Sequence, residues 1–390
     1  MVLDEFPGQL ARTRRFSLGV PREVTIAADG GRVVFLRTGG GEDPVSRLWL
    51  LDLTHDHGSD SANNDSANND STNDDSGAEQ LLVDPTESWN AGSGEVPEAE
   101  RIRRERMREL AGGIVAYSAD DDCRTVAFAL DGQLWVVNVE RERDRTTLGN
   151  PVSDRATALP RLVPTAGPVT DPRIDPTGQR VAYVTDGALH VVELGTDVDR
   201  ELAAPEHAEV GYGLPEHVAA ESMYRYRGFW WAPDGRQLLA ARVDNSPVQQ
   251  WWIADPADPE KPPRAIRYPA AGTANAEVTA HVLRLDGTRT EINWDRKAFE
   301  YLATASWDAH GPLLSVQSRD HRTLQILAAD PATGQTSLLH EDRDPAWVEL
   351  TYGAAPLRTA AGRLVRVSDV GGDRRLVIDA TPVKIGRAHV

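Results

Sequence analysis

The sequence predicts an all-β fold of the β-propeller kind, and three observations lead there. Helical periodicity is scarce along the 390 residues. One pattern keeps returning: a short β-type run, an Asp-Gly or Thr-Gly turn, and two further β-type runs. Asp-Gly pairs suit the tight hairpin turn, whose central positions need positive φ. A four-stranded antiparallel unit cannot bury both of its faces alone. Radial stacking of such units buries them and leaves only short, protected edges. A tandem of β-sandwiches is the competing architecture; the small repeated hairpin favours the propeller, although the WD and kelch signatures are absent.

The repeats follow in order. The first is VTIAADGGRVVFLR with SRLWLLDL, residues 24–53, and the second is IVAYSADDDCRTVAFALDGQLWVVNV, residues 114–139. The third is VTDPRIDPTGQRVAYVTDGALHVVEL, residues 169–194, and the fourth is GFWWAPDGRQLLAARVDNSPVQQWWIAD, residues 228–255. The fifth covers 301–330 and the sixth 348–379, with strands of a seventh expected if 266–294 forms its own. Irregular spacing marks insertions. Residues 56–80 hold SANND, SANND and STNDD, with almost no apolar residue, and read as a disordered loop rather than a calcium-binding repeat. Residues 97–111, PEAERIRRERMRELA, read as a helix carrying Arg101, Arg103, Arg104, Arg106 and Arg108. These arginines either pair with neighbours such as Glu100 on a solvated face or project into a cavity to bind a carboxylate or carbonyl. Residues 213–224 carry a second short helix with Glu216 at its start and Glu221 on it. Trp230 and Trp231 follow on successive strand positions and face opposite ways, with core packing expected for at least one.

Composition narrows the function. Hydrophobic residues at 40% allow a sizeable core, and 42 basic against 60 acidic residues give a net charge of −18. Such an acidic surface argues against non-specific binding to nucleic acid or anionic membrane. The one cysteine, Cys123, reads as a small residue at the start of a strand. MVLDEFPGQLARTRRF lacks the apolar stretch of a secretion signal, and no run of 18 apolar residues occurs, so a cytoplasmic location is expected. No cofactor or metal pattern stands out, and no G-x-S-x-G nucleophile elbow occurs; AGSGE at 91–95 lacks the first glycine.

Several long, ordered stretches carry a resemblance: RRERMRE (103–109), GLPEHVAAESMYRYRGFWWAPDG (213–235), YPAAGTANAEV (268–278), YLATASW (301–307), LLSVQSRDHRTLQILAADPATG (313–334) and WVEL (347–350). The chain resembles the N-terminal propeller of the dipeptidyl peptidase IV family of serine exopeptidases, closest to its bacterial and intracellular branches. The resemblance implies an eight-bladed ring capping an α/β-hydrolase domain that carries a Ser-Asp-His triad. In the family, two adjacent glutamates bind the free α-ammonium of the peptide, and an arginine from another insertion helps hold its backbone. Carried onto this chain, Glu221 matches the first glutamate, while Ser222 stands at the second. A hydroxyl there replaces a carboxylate that would accept from the three-donor ammonium, which weakens amine selectivity unless another group supplies it. The arginine role falls among Arg104, Arg106 and Arg108, with Arg106 favoured.

The expectation is therefore a propeller domain over 1–383, with about six to seven of eight blades, and a non-propeller tail at 384–390. Missing blades and the missing hydrolase point to a fragment whose open edges invite pairing. Its role would be non-catalytic: gating substrate and recognising the amine of a peptide with a free N-terminus, beside a hydrolase domain carried on the same chain in the family. A dimer is admitted as well; nucleic acid and membrane are not among the expected partners. The alternatives are an independent propeller that binds proteins or peptides, and a self-sufficient propeller hydrolase with paired carboxylates in its channel.

Overall fold

The computed structural model describes residues 5–53, 79–87, 96–139 and 159–383. The chain divides into two compact units, Met1–Val181 with Glu193–Asp197, and Ala182–Val192 with Val198–Val390. The structure is largely β-sheet with few helices.

The first unit opens on α1 (Phe6–Arg12). Strands β1 (Arg22–Ile26), β2 (Arg32–Thr38), β3 (Val45–Asp52) and β4 (Glu79–Val83) then form an antiparallel sheet in chain order. Glu79 and Gln80, placed in the polar loop by their composition, belong to β4; the rest of that loop from 56 to 78 lies outside the described residues. Helix α2 (Glu98–Arg106) precedes β5 (Gly112–Gly113), which pairs in parallel with β3. A second sheet runs β6 (Tyr117–Ala119), β7 (Thr125–Leu130), β8 (Gln133–Asn138) and β9 (Arg161–Val163). Leu36, Leu48, Ile114, Val126, Phe128 and Val137 meet in one core cluster between these sheets. The sheet of β10 (Thr170–Ile174), β11 (Arg180–Thr185), β12 (Ala188–Glu193) and β13 (Val198–Ala203) is the one through which the division between the units runs.

In the second unit, β14 (Val210–Tyr212) leads to helix α3 (His217–Ser222), then β15 (Phe229–Trp231) and β16 (Gln237–Asp244). A separate hairpin follows, β17 (Gln250–Ile253) with β18 (Arg264–Arg267), before β19 (Glu277–Arg284) and β20 (Arg289–Ile292) return to the sheet beside β16. The fourth repeat therefore differs from its reading in the sequence. VQQWWI does not supply its next strand; β16 pairs instead with β19 from Gln237↔Arg284 to Asp244↔Glu277. Strand pairing is a long-range choice, and β19 offers five buried positions where β17 offers none. The segment 266–294 thus adds strands to an existing sheet rather than forming a seventh. Two four-stranded sheets complete the unit. One is β21 (Tyr301–Asp308), β22 (Gly311–Gln317), β23 (Thr323–Ala329) and β24 (Thr336–Arg343). The other is β25 (Leu357–Arg358), β26 (Leu364–Val370), β27 (Asp373–Ile378) and β28 (Thr381–Pro382).

Turn chemistry explains the repetition. Asp131-Gly132 and Asp186-Gly187 join β7 to β8 and β11 to β12, and all four residues have positive φ, between 47° and 77°. That is the two-residue turn whose twist matches the flanking strands. A second turn recurs before the central strand. Gly30, Gly178 and Gly235 adopt left-handed φ near 70°, and each N–H donates to the carbonyl three residues back: Ala27, Asp175 and Ala232. Cys123 fills the same position, with φ 51° and its N–H on the Asp120 carbonyl at 3.0 Å. The cysteine is therefore a turn residue with a buried side chain, not the first residue of a strand. Among the described residues no helix is long and apolar enough to cross a membrane.

Candidate functional site

Two helical insertions carry the candidate residues, one in each compact unit. In the first unit, α2 holds Glu100 and Arg103 on its buried side. The Arg103 guanidinium grips the Glu100 carboxylate through two bonds, of 2.7 and 3.0 Å, and donates to the Met107 Sδ at 3.2 Å. Burial works against the Arg103 cation, but Glu100, Asp171 and Glu23 more than offset it and raise its pKa. Arg104 Nε donates to the same carboxylate at 2.9 Å. Both pairs lie within the helix, three and four residues apart, and tie two of its arginines to one buried carboxylate. Arg106 ends the helix half-buried. Arg108 lies beyond it, exposed, with φ 55°. The helical insertion is accordingly shorter than 97–111.

The second insertion is closed at its base by two glycines. Gly213 has φ 81° and forms a β-bridge with Gly228. A Cβ on Gly228 would lie 2.6 Å from the Gly213 carbonyl carbon and the Leu214 nitrogen, so this backbone approach requires glycine. Between them, α3 spans only His217–Ser222, inside the expected 213–224. Ala219, Ala220 and Met223 are buried, and Ala219 and Met223 pack against Tyr301 and Ala303 of β21. Glu221 and Ser222, at the end of the helix, are both exposed.

Helix α3 is anchored by a buried charge pair. Glu216 stands at its N-cap without capping it through the side chain, and Arg225 follows just beyond its end. Both are buried, at 5% and 3% exposure. One Arg225 terminal nitrogen donates to the Glu216 carboxylate; the other donates to the Arg227 carbonyl at 3.1 Å, and Nε donates to the Leu302 carbonyl at 3.0 Å. The signal in the sequence was two opposite charges nine positions apart, on either side of HVAAESMY, which by itself does not distinguish a buried pair from surface decoration.

Aromatic side chains surround this insertion. Tyr224, φ 57°, meets Tyr352 edge-on at 5.7 Å. Leu350 packs with the Ala219 and Met223 cluster. Tyr301 accepts at its hydroxyl from Asn275 Nδ2 at 3.0 Å, and its pKa is raised, first by burial. His321 stacks on Trp347 at 4.2 Å with the rings 6° from parallel. Gln317 Nε2 donates to the Val348 carbonyl, so its Oε1 is the acceptor that faces His321 Nδ1 at 3.1 Å. His321 therefore carries its proton on Nδ1, and burial lowers its pKa. Trp230 and Trp231 each pack, partly buried, against a different core cluster, so the core packing expected for at least one holds for both.

Among curated proteins, the probable dipeptidyl-aminopeptidase B of Aspergillus niger is 24% identical over 202 residues, covering 45% of this chain and 22% of that protein. Dipeptidyl peptidase 8 of Mus musculus is 26% identical over 269 residues, covering 60% of this chain and 29% of that protein. The chain thus spans between a fifth and a third of the length of these relatives. In fold it is similar to the crystal structure of Porphyromonas gingivalis dipeptidyl peptidase 4, with a TM-score of 0.65 at 15% identity, over 99% of this chain and 49% of that one. The family described as the dipeptidyl peptidase IV (DPP IV) N-terminal region matches residues 114–384, which take in the Glu216–Arg225 insertion and every sheet after the first. This chain belongs to the dipeptidyl peptidase IV N-terminal region family.

Proposed function

We propose that this chain is the non-catalytic, substrate-gating part of a dipeptidyl-peptidase-like serine peptidase, and that Glu221 and Ser222 receive the free N-terminal amine of a peptide. Its sheets act as the blades of a propeller domain over 1–383, with an α/β-hydrolase domain as the catalytic partner. The observation that carries this reading is the presentation of α3. Its Ala219, Ala220 and Met223 are buried while Glu221 and Ser222 are exposed at consecutive positions. A carboxylate beside a hydroxyl offers an ammonium one charge-assisted acceptor and one neutral one. Arg106, at the end of α2, is the favoured arginine for the peptide backbone, with Arg104 and Arg108 of the same stretch as the other candidates.

The test is binding of alanyl-proline amide compared with its N-acetyl derivative, followed by titration calorimetry. The free amine should bind more tightly, and Glu221→Gln should remove most of the difference, about tenfold for one charge-assisted contact. Equal binding of the two ligands by the parent chain would overturn the reading.

A second reading, an independent module that binds proteins or peptides, draws on the hairpin β17–β18. Trp251 and Trp252 are 45% and 66% exposed there, on opposite faces. If that reading holds, Trp252→Ser would abolish peptide or protein capture while leaving free-amine preference absent in the parent.

A further inference from the structure

A six-residue helix cannot hold itself together, because nucleation costs more than its few hydrogen bonds return. Helix α3 is such a segment, and its N-cap contributes no side-chain bond to the free N–H groups. What fixes it is tertiary. The Arg225 guanidinium meets three points at once: the Glu216 carboxylate before the helix, the Arg227 carbonyl after it and the Leu302 carbonyl on β21. The backbone adds one more tie, from Arg225 N–H to the Ala219 carbonyl at 3.1 Å. A planar fork with five donors can satisfy three acceptors in fixed directions, whereas an ammonium on a flexible stem cannot.

We infer that the Arg225–Glu216 pair is the positioning clamp of the amine-recognition helix: it fixes where α3 presents Glu221 and Ser222, and thereby sets the preference for a free N-terminus. The inference rests on the proposed reading of that helix face. Neither residue needs to touch the ligand. Both are buried, and their charges compensate each other. Glu216 is committed to Arg225 through one oxygen, while its other oxygen has no hydrogen-bond partner. Loosening the pair lets the ends of α3 move independently of β21. A carboxylate displaced by about 1 Å loses much of an oriented ionic contact, while contacts to the rest of the peptide persist.

The experiment uses the full chain and the variants Arg225→Lys and Glu216→Gln, which retain a hydrogen-bonding group at each position. Two measurements are made: amide hydrogen exchange over 217–222, and the ratio of affinities for alanyl-proline amide and its N-acetyl derivative. Arg225→Lys should speed exchange in α3 about tenfold while leaving the strands of β16 and β19 protected. It should lower the affinity ratio about tenfold without changing affinity for the acetylated ligand. Glu216→Gln, which keeps an acceptor for Arg225, should show the smaller effect of the two. Unchanged exchange in both variants overturns the clamp, whatever the ligands do. An affinity ratio that Glu221→Gln abolishes but Arg225→Lys leaves intact also overturns it. A parent that never prefers the free amine defeats the amine reading instead, and the exchange measurement still decides the clamp.

Discussion

Exchanging Arg225 for methionine takes away a cation that three neighbours use at once. Glu216, 5% exposed, would be left with neither oxygen partnered, since one already lacks a hydrogen bond. Breaking a buried ion pair from one side costs about 3–5 kcal/mol, because the surviving charge stays desolvated. The Leu302 and Arg227 carbonyls also lose donors, at about 1 kcal/mol each where water cannot replace them. Partial relaxation of α3 toward solvent offsets part of this, so the net loss should be about 4 kcal/mol. For a unit of this size that corresponds to a fall of about 8–16 °C in melting temperature. Urea unfolding followed by tryptophan fluorescence reads it, since Trp230 and Trp231 lie in the same sheet system. The double variant Glu216→Leu with Arg225→Met removes both charges and should recover most of the loss, as apolar replacement of a buried pair is often neutral or stabilising. A single variant within about 1 kcal/mol of the parent, or a double variant no better than the single, would refute the view that this pair is buried and mutually dependent.

Other outcomes follow from the same structure. Gly228→Ala places a methyl against backbone at the Gly213 bridge, and should cost about 2 kcal/mol and open 214–227 to limited proteolysis; unchanged cleavage would show that the bridge is not tight. Cys123 is buried and its thiol is pushed up to about 11, first by burial and then by Asp120. It should react with a thiol reagent only after denaturation, and rapid labelling of the folded chain at neutral pH would contradict the turn geometry. Burial lowers the pKa of His321 and of His281 below their ordinary value of 6.5. The unfolded chain therefore takes up these protons first as pH falls. Stability should be full above about 6.5 and decline below it through the folded pKa values. A melting temperature flat from pH 7 to 5, or a decline untouched by His321→Gln, would count against this.

Much of the local architecture was legible in residues 114–139 and 169–194, where Asp131-Gly132 and Asp186-Gly187 alone dictate positive φ and so fix hairpins of set register. The two helical insertions were legible too, with ends that drew in to Glu98–Arg106 and His217–Ser222. The tertiary structure decided the rest. Gln250–Ile253 and Glu277–Arg284 are both strand-like, and only the buried partner β16 selects the second for the main sheet. Cys123 reads as an ordinary small residue until the repeated turn places it where the other repeats have glycine. Glu216 and Arg225, nine positions apart, carry opposite charges that any surface helix could display. Their burial depends on Leu302, which lies 77 residues further along from Arg225. The Asp-Gly turn conformations are set by the few atoms next to them in the chain, so sequence alone determines them. Strand partners and buried charge pairs are set by which distant surfaces exclude water together, and that exists only once the chain has folded.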